Sequence, residues 1–314
     1  MIGLDHLEKH ELAQAVDLLV DGLYQWARAG GMSATEADGA VAATLAYARR
    51  RLTGEVEIDA FGFDADFTEH VYLAALRPLY RIWFRTEVVG AENLPATGGA
   101  LVVANHAGTV AVDALMTQVA VHDALSESRY LRLLGADLVF RTPFLGEIAR
   151  RGGATMASRD DAQRLLEAGE LVGVWPEGYK GVGKGFSERY RLQRFGRGGF
   201  VASALRAQVP IIPCSIVGSE EAYPMLADIE PLAKLLRLPY FPVTPLFPHF
   251  GLLGLVPLPS KWMIRFGEPI SPEGGPEMAF DDPVRVFELT EHVRGVIQQQ
   301  LYELLEMRGS AFAR

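Results

Sequence analysis

His106 and Asp113, seven residues apart, are the residues of this chain whose types and spacing could move a proton. A histidine titrates near neutral pH, and a carboxylate that fixes its tautomer lets it take the proton of a hydroxyl. The pair follows Ala100-Leu101-Val102-Val103-Ala104, a short apolar run that reads as a buried strand ending at Asn105. Residues past Ala107-Gly108-Thr109 turn helical, so His106 occupies a loop at a strand's carboxyl end, where α/β folds place their chemistry. On one continuous helix, positions seven apart stand about 10 Å apart along the axis, too far to hydrogen-bond. A working pair therefore requires residues 107–109 to form a non-helical loop that folds Asp113 back, which Gly108 permits. If that loop does not fold back, Glu177 or another acid is the partner and Asp113 is structural. On these residues alone, a capping histidine beside a surface aspartate stays open.

A second strand-end loop carries the other chemistry. The apolar run 170–175 ends in Trp175 and is followed by Pro176-Glu177-Gly178 and then Tyr179-Lys180-Gly181-Val182-Gly183-Lys184-Gly185. Glycines let the backbone approach an anion closely, and Lys180 and Lys184 add charge, so this reads as a phosphate cradle. The string also matches most of a Walker A loop. It fails where Gly185 replaces the Ser/Thr that would hold magnesium, which makes a nucleotide hydrolase the weaker reading. Arg141 and Arg159 stand near two further strand ends, and an arginine can hold a phosphate through two parallel hydrogen bonds. Each alone reads as an ordinary surface residue; together with the lysine loop and the histidine they point to a phosphate-bearing substrate.

These loops need a scaffold, and the chain has the length for one. Its 314 residues are 49% hydrophobic and 22% charged, ordinary for a globular protein that is soluble or peripherally bound. A net charge of −9 argues against a nucleic-acid partner, so phosphate binding must come from a local cluster. One cysteine, Cys214, excludes an internal disulfide and a cysteine-based zinc site; set in an apolar run, it reads as a core residue. The first residues are acidic and polar, without the pattern of a secretory signal. The stretch Leu238 to Ser260 is the nearest to a spanning helix, but six prolines break it and predict an extended, polyproline-like path.

Strands are predicted at 87–90, 100–104, 130–134, 153–157, 171–175, 210–217 and 262–267. Helices are predicted at 111–124, 143–151, 160–168, 197–207 and 283–307, the last opened by Asp282-Pro283. This alternation implies an α/β fold, a mostly parallel central sheet flanked by helices. Ahead of it lies an N-terminal helical extension, in which Ser33-Ala34-Thr35-Glu36 has capping-box spacing. A helix from Thr68 to Phe84 places Val71, Ala75, Leu79 and Ile82 on one stripe, facing the core or a membrane interface. The expected divisions are an extension over 1–60, a central domain over 61–275 and a C-terminal helix packed on it over 276–314.

The order Asn105-His106…Asp113, Gly153…Arg159, Trp175-Pro176-Glu177-Gly178 and Val209-Pro210-Ile211-Ile212-Pro213 resembles the glycerolipid acyltransferases of the lysophosphatidate, PlsC-like superfamily. Their four blocks are NHxxxxD, GxxxxxR, FPEG and VPIxP, in that order. The resemblance covers about residues 85 to 270. This chain departs from it in two places: six residues separate His106 from Asp113 where the family has four, and Trp175 stands where it has phenylalanine.

The resemblance implies transfer of a fatty acyl group from acyl-CoA or acyl carrier protein to the hydroxyl of a lysophospholipid, lysophosphatidic acid being the default acceptor. His106 would be the general base and Asp113 would orient it, with no cofactor and no metal. Arg159, Glu177 and Gly178 would bind the phosphate-bearing acceptor; charge and placement add Arg141, Lys180 and Lys184. Tyr240, Phe241, Phe247 and Phe250 could wall an acyl path or meet a leaflet, for a protein held peripherally on the cytoplasmic face of the cell membrane. A hydrolase acting on acyl thioesters or esters, a glycolipid acceptor and a non-catalytic lipid-binding protein are the rival readings.

Overall fold

The computed structural model describes residues 20–22, 24–25, 33–125, 129–271 and 282–312. The part of the expected N-terminal extension that precedes residue 20 lies outside these. Seven strands form one sheet in the order β1-β9-β6-β2-β5-β3-β4. They are β1 (Glu87–Val89), β2 (Ala100–Ala104), β3 (Leu131–Gly135), β4 (Ala154–Met156), β5 (Leu171–Val174), β6 (Ile211–Val217) and β9 (Met263–Phe266). All neighbours run parallel except β6 and β9, so β1 and β9 point opposite to the other five. A two-stranded ladder of β7 (Ala227–Asp228) and β8 (Pro242–Val243) stands apart.

The central strands are apolar without alternation because both faces of the sheet are covered. Ala100, Val102 and Ala104 of β2 face one core with Met116, Val119 and Ala120 of helix α3 (Val112–Ala124), which follows α1 (Ala34–Thr53) and α2 (residues 65–83). Leu101 and Val103 face the other core. There they meet Leu165 of α6 (Arg159–Glu167), Val201 and Leu205 of α8 (Gly199–Ala207), and Ile297 and Leu301 of α11 (Pro283–Arg308). Two short helices, α4 (Asp137–Arg141) and α5 (Leu145–Arg151), join β3 to β4. Cys214 is wholly buried in β6.

Helix α2 departs from the expected stripe. Val71 and Ile82 are exposed, whereas Leu73, Tyr80 and Phe84 are buried, Phe84 stacked on Trp262 with ring centroids 4.4 Å apart. Two wide turns, Thr68–Leu73 and Leu79–Trp83, interrupt the α geometry on either side of Pro78. Each wide turn takes more than 3.6 residues, so the helix rotates and a stripe counted at α spacing ends on the wrong face. The proline-rich segment is also less extended than expected: Gly251–Leu255 forms a 3₁₀ turn, and residues 242–243 pair in β8. The acidic turn between α1 and α2 is tied down by ion pairs. Asp64 accepts two hydrogen bonds from Arg51, at 2.6 and 2.7 Å, and Asp59 lies 2.7 Å from the buried Arg132.

At the last turn of α3, His122 lies 2.7 Å from Glu69 and beside Asp123 and Arg77. Burial acts against charge on this imidazole, but hydrogen bonds to Asp123 and Glu69 outweigh it and hold His122 up to about 9. A raised folded-state value stabilises the fold fully below the unfolded value of about 6.5 and loses that contribution as pH rises through 9. Screening of this half-open cluster limits the effect to roughly 1–2 kcal/mol. Thermal melts of the wild type should fall by a few degrees between pH 6.5 and 9, and His122→Gln should flatten that fall. An equal slope in the variant would place the titrating group elsewhere.

Candidate active site

The strand ends of β2 and β5 lie side by side, Val103 opposite Val174, so the two loops found in the sequence meet. Asn105 fixes the exit of the first. Its side-chain amide donates to the Ile216 carbonyl at 3.0 Å and accepts from the Ile216 N–H at 2.7 Å, so the side chain continues the ladder with β6. The chain then turns away through Gly108, whose φ of +80° suits glycine and where a Cβ would lie 2.7 Å from the Ser219 carbonyl oxygen. Helix α3 begins only at Val112, so the loop folds Asp113 back as the wider spacing requires.

The outcome is a close pair. His106 Nδ1 lies 2.8 Å from Asp113 Oδ2, and Asp113 is fully buried. The same carboxylate accepts the Ala107 N–H at 2.9 Å through Oδ2 and the Ala114 N–H at 2.9 Å through Oδ1. The two amides fix the orientation of the carboxylate, and its place at Nδ1 puts the proton of neutral His106 there. Nε2 is thereby left as the acceptor, able to take a proton from a hydroxyl.

Glu177 is not the partner of the imidazole. Its buried carboxylate accepts the backbone N–H of His106 at 2.8 Å and that of Gln193 at 2.6 Å. Burial pushes the Glu177 carboxyl up, against the pull of Lys184 and these two amides. The residue braces the main chain of the histidine rather than facing open space for a ligand. Gly178 closes the turn behind it, its N–H donating to the Trp175 carbonyl at 3.0 Å. Helix α7 (Tyr179–Val182) then presses Gly181 onto His106: a Cβ there would lie 2.4 Å from the His106 carbonyl oxygen.

The cations divide into two kinds. Lys184 is buried, 2.7 Å from Glu220 and 3.9 Å from Glu177, and its Nζ donates to the Arg191 carbonyl. Burial lifts Glu220 to about 7, opposed by Lys184. Lys184 is therefore an internal counter-ion, and its expected phosphate contact is corrected. Arg141 ends the surface helix α4, bridged to Asp137 at 3.3 Å, where the sequence reading placed it ahead of a helix rather than within one. Arg159 and Lys180 are exposed and make no ion pair among the described residues. Arg159 opens α6 and lays its guanidinium over Gly199, Nε 3.2 Å from where a Cβ would stand. These two remain available for an anion.

Tyr240 is committed to the loop, its hydroxyl donating to the Thr109 carbonyl at 2.7 Å. Phe241 and Phe247 lie against each other with centroids 5.4 Å apart, and Phe250 is exposed. Sequence reasoning missed Gly181, Glu220 and the bridging amide of Asn105. Glu220 lies 36 residues beyond Lys184, and no local pattern joins them.

The residues that build these loops coincide with a known family. The model of the family described as Acyltransferase matches residues 85–217. An uncharacterised protein of Mycobacterium tuberculosis is 58% identical over 272 residues, 87% of this chain and 76% of its own length; one from Mycobacterium leprae matches 74% of its length at the same identity. A protein of Gallus gallus named DGAT1/2-independent enzyme synthesizing storage lipids is 28% identical over 231 residues, 73% of this chain and 63% of that protein. The crystal structure of a 1-acyl-sn-glycerophosphate acyltransferase, PlsC, from Thermotoga maritima shares the fold, with a TM-score of 0.50 at 18% identity over 92% of this chain and 97% of that one. The matched stretch begins at β1, ends with β6 and encloses both loops. This chain belongs to the Acyltransferase family and shares the fold of PlsC.

Proposed function

We propose that the protein moves a fatty acyl group from acyl-CoA or acyl carrier protein to the hydroxyl of a lysophospholipid, with lysophosphatidic acid as the default acceptor. The observation that carries this reading is the 2.8 Å pair of His106 and Asp113, which leaves Nε2 on the far side of the ring from the carboxylate. Nε2 takes the hydroxyl proton while the oxygen attacks the thioester carbonyl carbon. Collapse of the tetrahedral intermediate breaks the C–S bond, and the imidazolium returns its proton to the departing thiolate. No acyl-enzyme is needed. The direct test is thiol release from palmitoyl-CoA by the purified protein, with and without lysophosphatidic acid. Release that depends on the acceptor supports the reading; release without it would replace a transferase with a hydrolase.

Arg159 and Lys180 support a phosphate on the acceptor, since neither is occupied by a carboxylate among the described residues. The storage-lipid synthesis named for the avian relative supports a second acceptor class without phosphate. Arg159→Ala separates the two. For a phosphate-bearing acceptor, its KM should rise about tenfold or more with kcat little changed, because the ion pair is present in ground state and transition state alike. An unchanged KM would favour the neutral acceptor.

Peripheral contact with a bilayer belongs to the same reading. Among the described residues no helix is long and apolar enough to cross a membrane. Leu235 of α10 (Glu230–Leu236), which follows α9 (Ser219–Ala222), is exposed, as are Phe250 and Leu253. The segment that carries them is joined to the histidine loop through Tyr240. An apolar surface on a segment tied to the histidine loop suits a substrate drawn from a leaflet.

A further inference from the structure

Trp175, where the family's block has phenylalanine, brings a hydrogen-bond donor to the foot of the site. Its ring centroid lies 6.0 Å from that of His106, tilted by 48°. The side chain is only 7% exposed, and its indole N–H is buried with no partner among the described residues. A buried donor left unpaired costs about 1–3 kcal/mol, so such groups call for an explanation. Here the indole is turned with its benzo edge back over its own strand: Cζ3 lies 3.0 Å from where a Cβ on Gly173 would stand. The N–H is on the opposite edge of the ring, so that edge faces away from Gly173. The other such nitrogens among the described residues are the Nε atoms of Arg51, Arg85 and Arg308, whose guanidinium groups are engaged through their other nitrogens, and His122 Nε2, which faces Glu69 at 2.7 Å. Among the described residues the buried Ser219 hydroxyl, packed on Gly108, is a second orphan donor near the histidine loop, but Trp175 is the one whose ring lies against that of His106.

We propose that the Trp175 indole N–H donates a hydrogen bond to the carbonyl oxygen of the acyl donor as negative charge gathers on it. This rests on the acyl-transfer reading and adds a catalytic residue to it. When the acceptor oxygen bonds to the carbonyl carbon, the π pair moves onto the carbonyl oxygen and the acceptor's hydroxyl proton goes to His106 Nε2. The indole keeps its proton throughout and stabilises the oxyanion. The pair then returns to reform C=O, and the C–S bond breaks. A donor fixed in a water-poor place costs no reorganisation at the moment of reaction, which is why one such contact has a large effect.

The test is Trp175→Phe, which restores the ring type of the family's block and removes only the N–H and the second ring. Loss of one oxyanion donor typically costs about 10²–10³-fold in kcat. We expect a fall of about 100-fold in kcat, with KM for palmitoyl-CoA and for lysophosphatidic acid unchanged. An unchanged kcat, or a raised KM alone, overturns the proposal. A second measurement does not depend on the variant's activity. The Trp175 indole resonance of ¹⁵N-labelled protein, assigned by its absence in the variant, is followed on adding a palmitoyl-CoA analogue with methylene in place of the thioester sulfur. That analogue keeps the carbonyl and cannot transfer. A downfield shift is expected; no shift, or the same shift with lysophosphatidic acid alone, overturns the proposal. Wild-type protein inactive on every lysolipid would defeat the functional reading instead, while the donor-analogue shift would still decide the role of the N–H.

Discussion

His106→Ala should lower acceptor-dependent thiol release by about 10²–10⁴-fold, the usual loss when a general base is removed. The fold should survive the change. Asp113 keeps its hydrogen bonds from the Ala107 and Ala114 amides, so deleting the imidazole strands no buried charge without donors. The main chain of residue 106 stays braced, because the Glu177 carboxylate holds its N–H rather than its ring. A melting temperature near that of the wild type, together with lost turnover, is therefore the expected pair of results. A folded variant with wild-type turnover would sink the base mechanism outright.

The second large effect is expected at a residue without a side chain. In Gly181→Ala, the new Cβ would meet the His106 carbonyl oxygen at 2.4 Å and the Glu177 Cβ at 2.8 Å. Neither neighbour is the far end of a flexible side chain, so α7 or the histidine loop must shift. A displacement of about 1 Å in a reacting group can cost 10²-fold in rate, and a kcat loss of that order is expected. Gly185→Ala is the control from the same loop. Its backbone is extended at φ −65°, and only the Ser187 hydroxyl, 3.8 Å away, comes near. It should keep its activity. Equal losses in both variants would mean that the loop's flexibility matters, rather than the fit of Gly181 against His106.

This contrast shows how legible the site was. The glycine- and lysine-rich string after Glu177 reads from sequence as a phosphate cradle, because glycine and lysine in alternation have that use. In the folded chain Gly181 is a packing contact, and Lys184 is absorbed by Glu220, a residue whose proximity depends on how β6 lies in the sheet. The seven strands of the main sheet were readable because doubly buried strands leave continuous apolar runs bounded by turn residues. Helices α3, α5, α6, α8 and α11 were readable between and after them; the short helices α4, α7, α9 and α10 were not. The folding back of Asp113 was readable too, since helix geometry forbids the alternative. Helix α2 was misread at Val71 and Ile82 because periodicity assumes a constant rise and twist, and its two wide turns break that assumption. The short pairing of residues 227–228 with 242–243 was hidden by prolines that also suit an extended path.

The amide of Asn105 has a consequence for the height at which the histidine leaves the sheet. A carboxamide has a sense of direction: one end gives a proton and the other receives one. Set against Ile216 it is read at both ends, as a main-chain unit would be. A slide of β2 by one residue against β6 would present those ends to the wrong partners and turn every side chain of the strand to the opposite face. The joint therefore acts like a keyed coupling that closes in a single setting. An aspartate of the same shape would offer only acceptors, one of them against the Ile216 carbonyl, and the key would no longer fit.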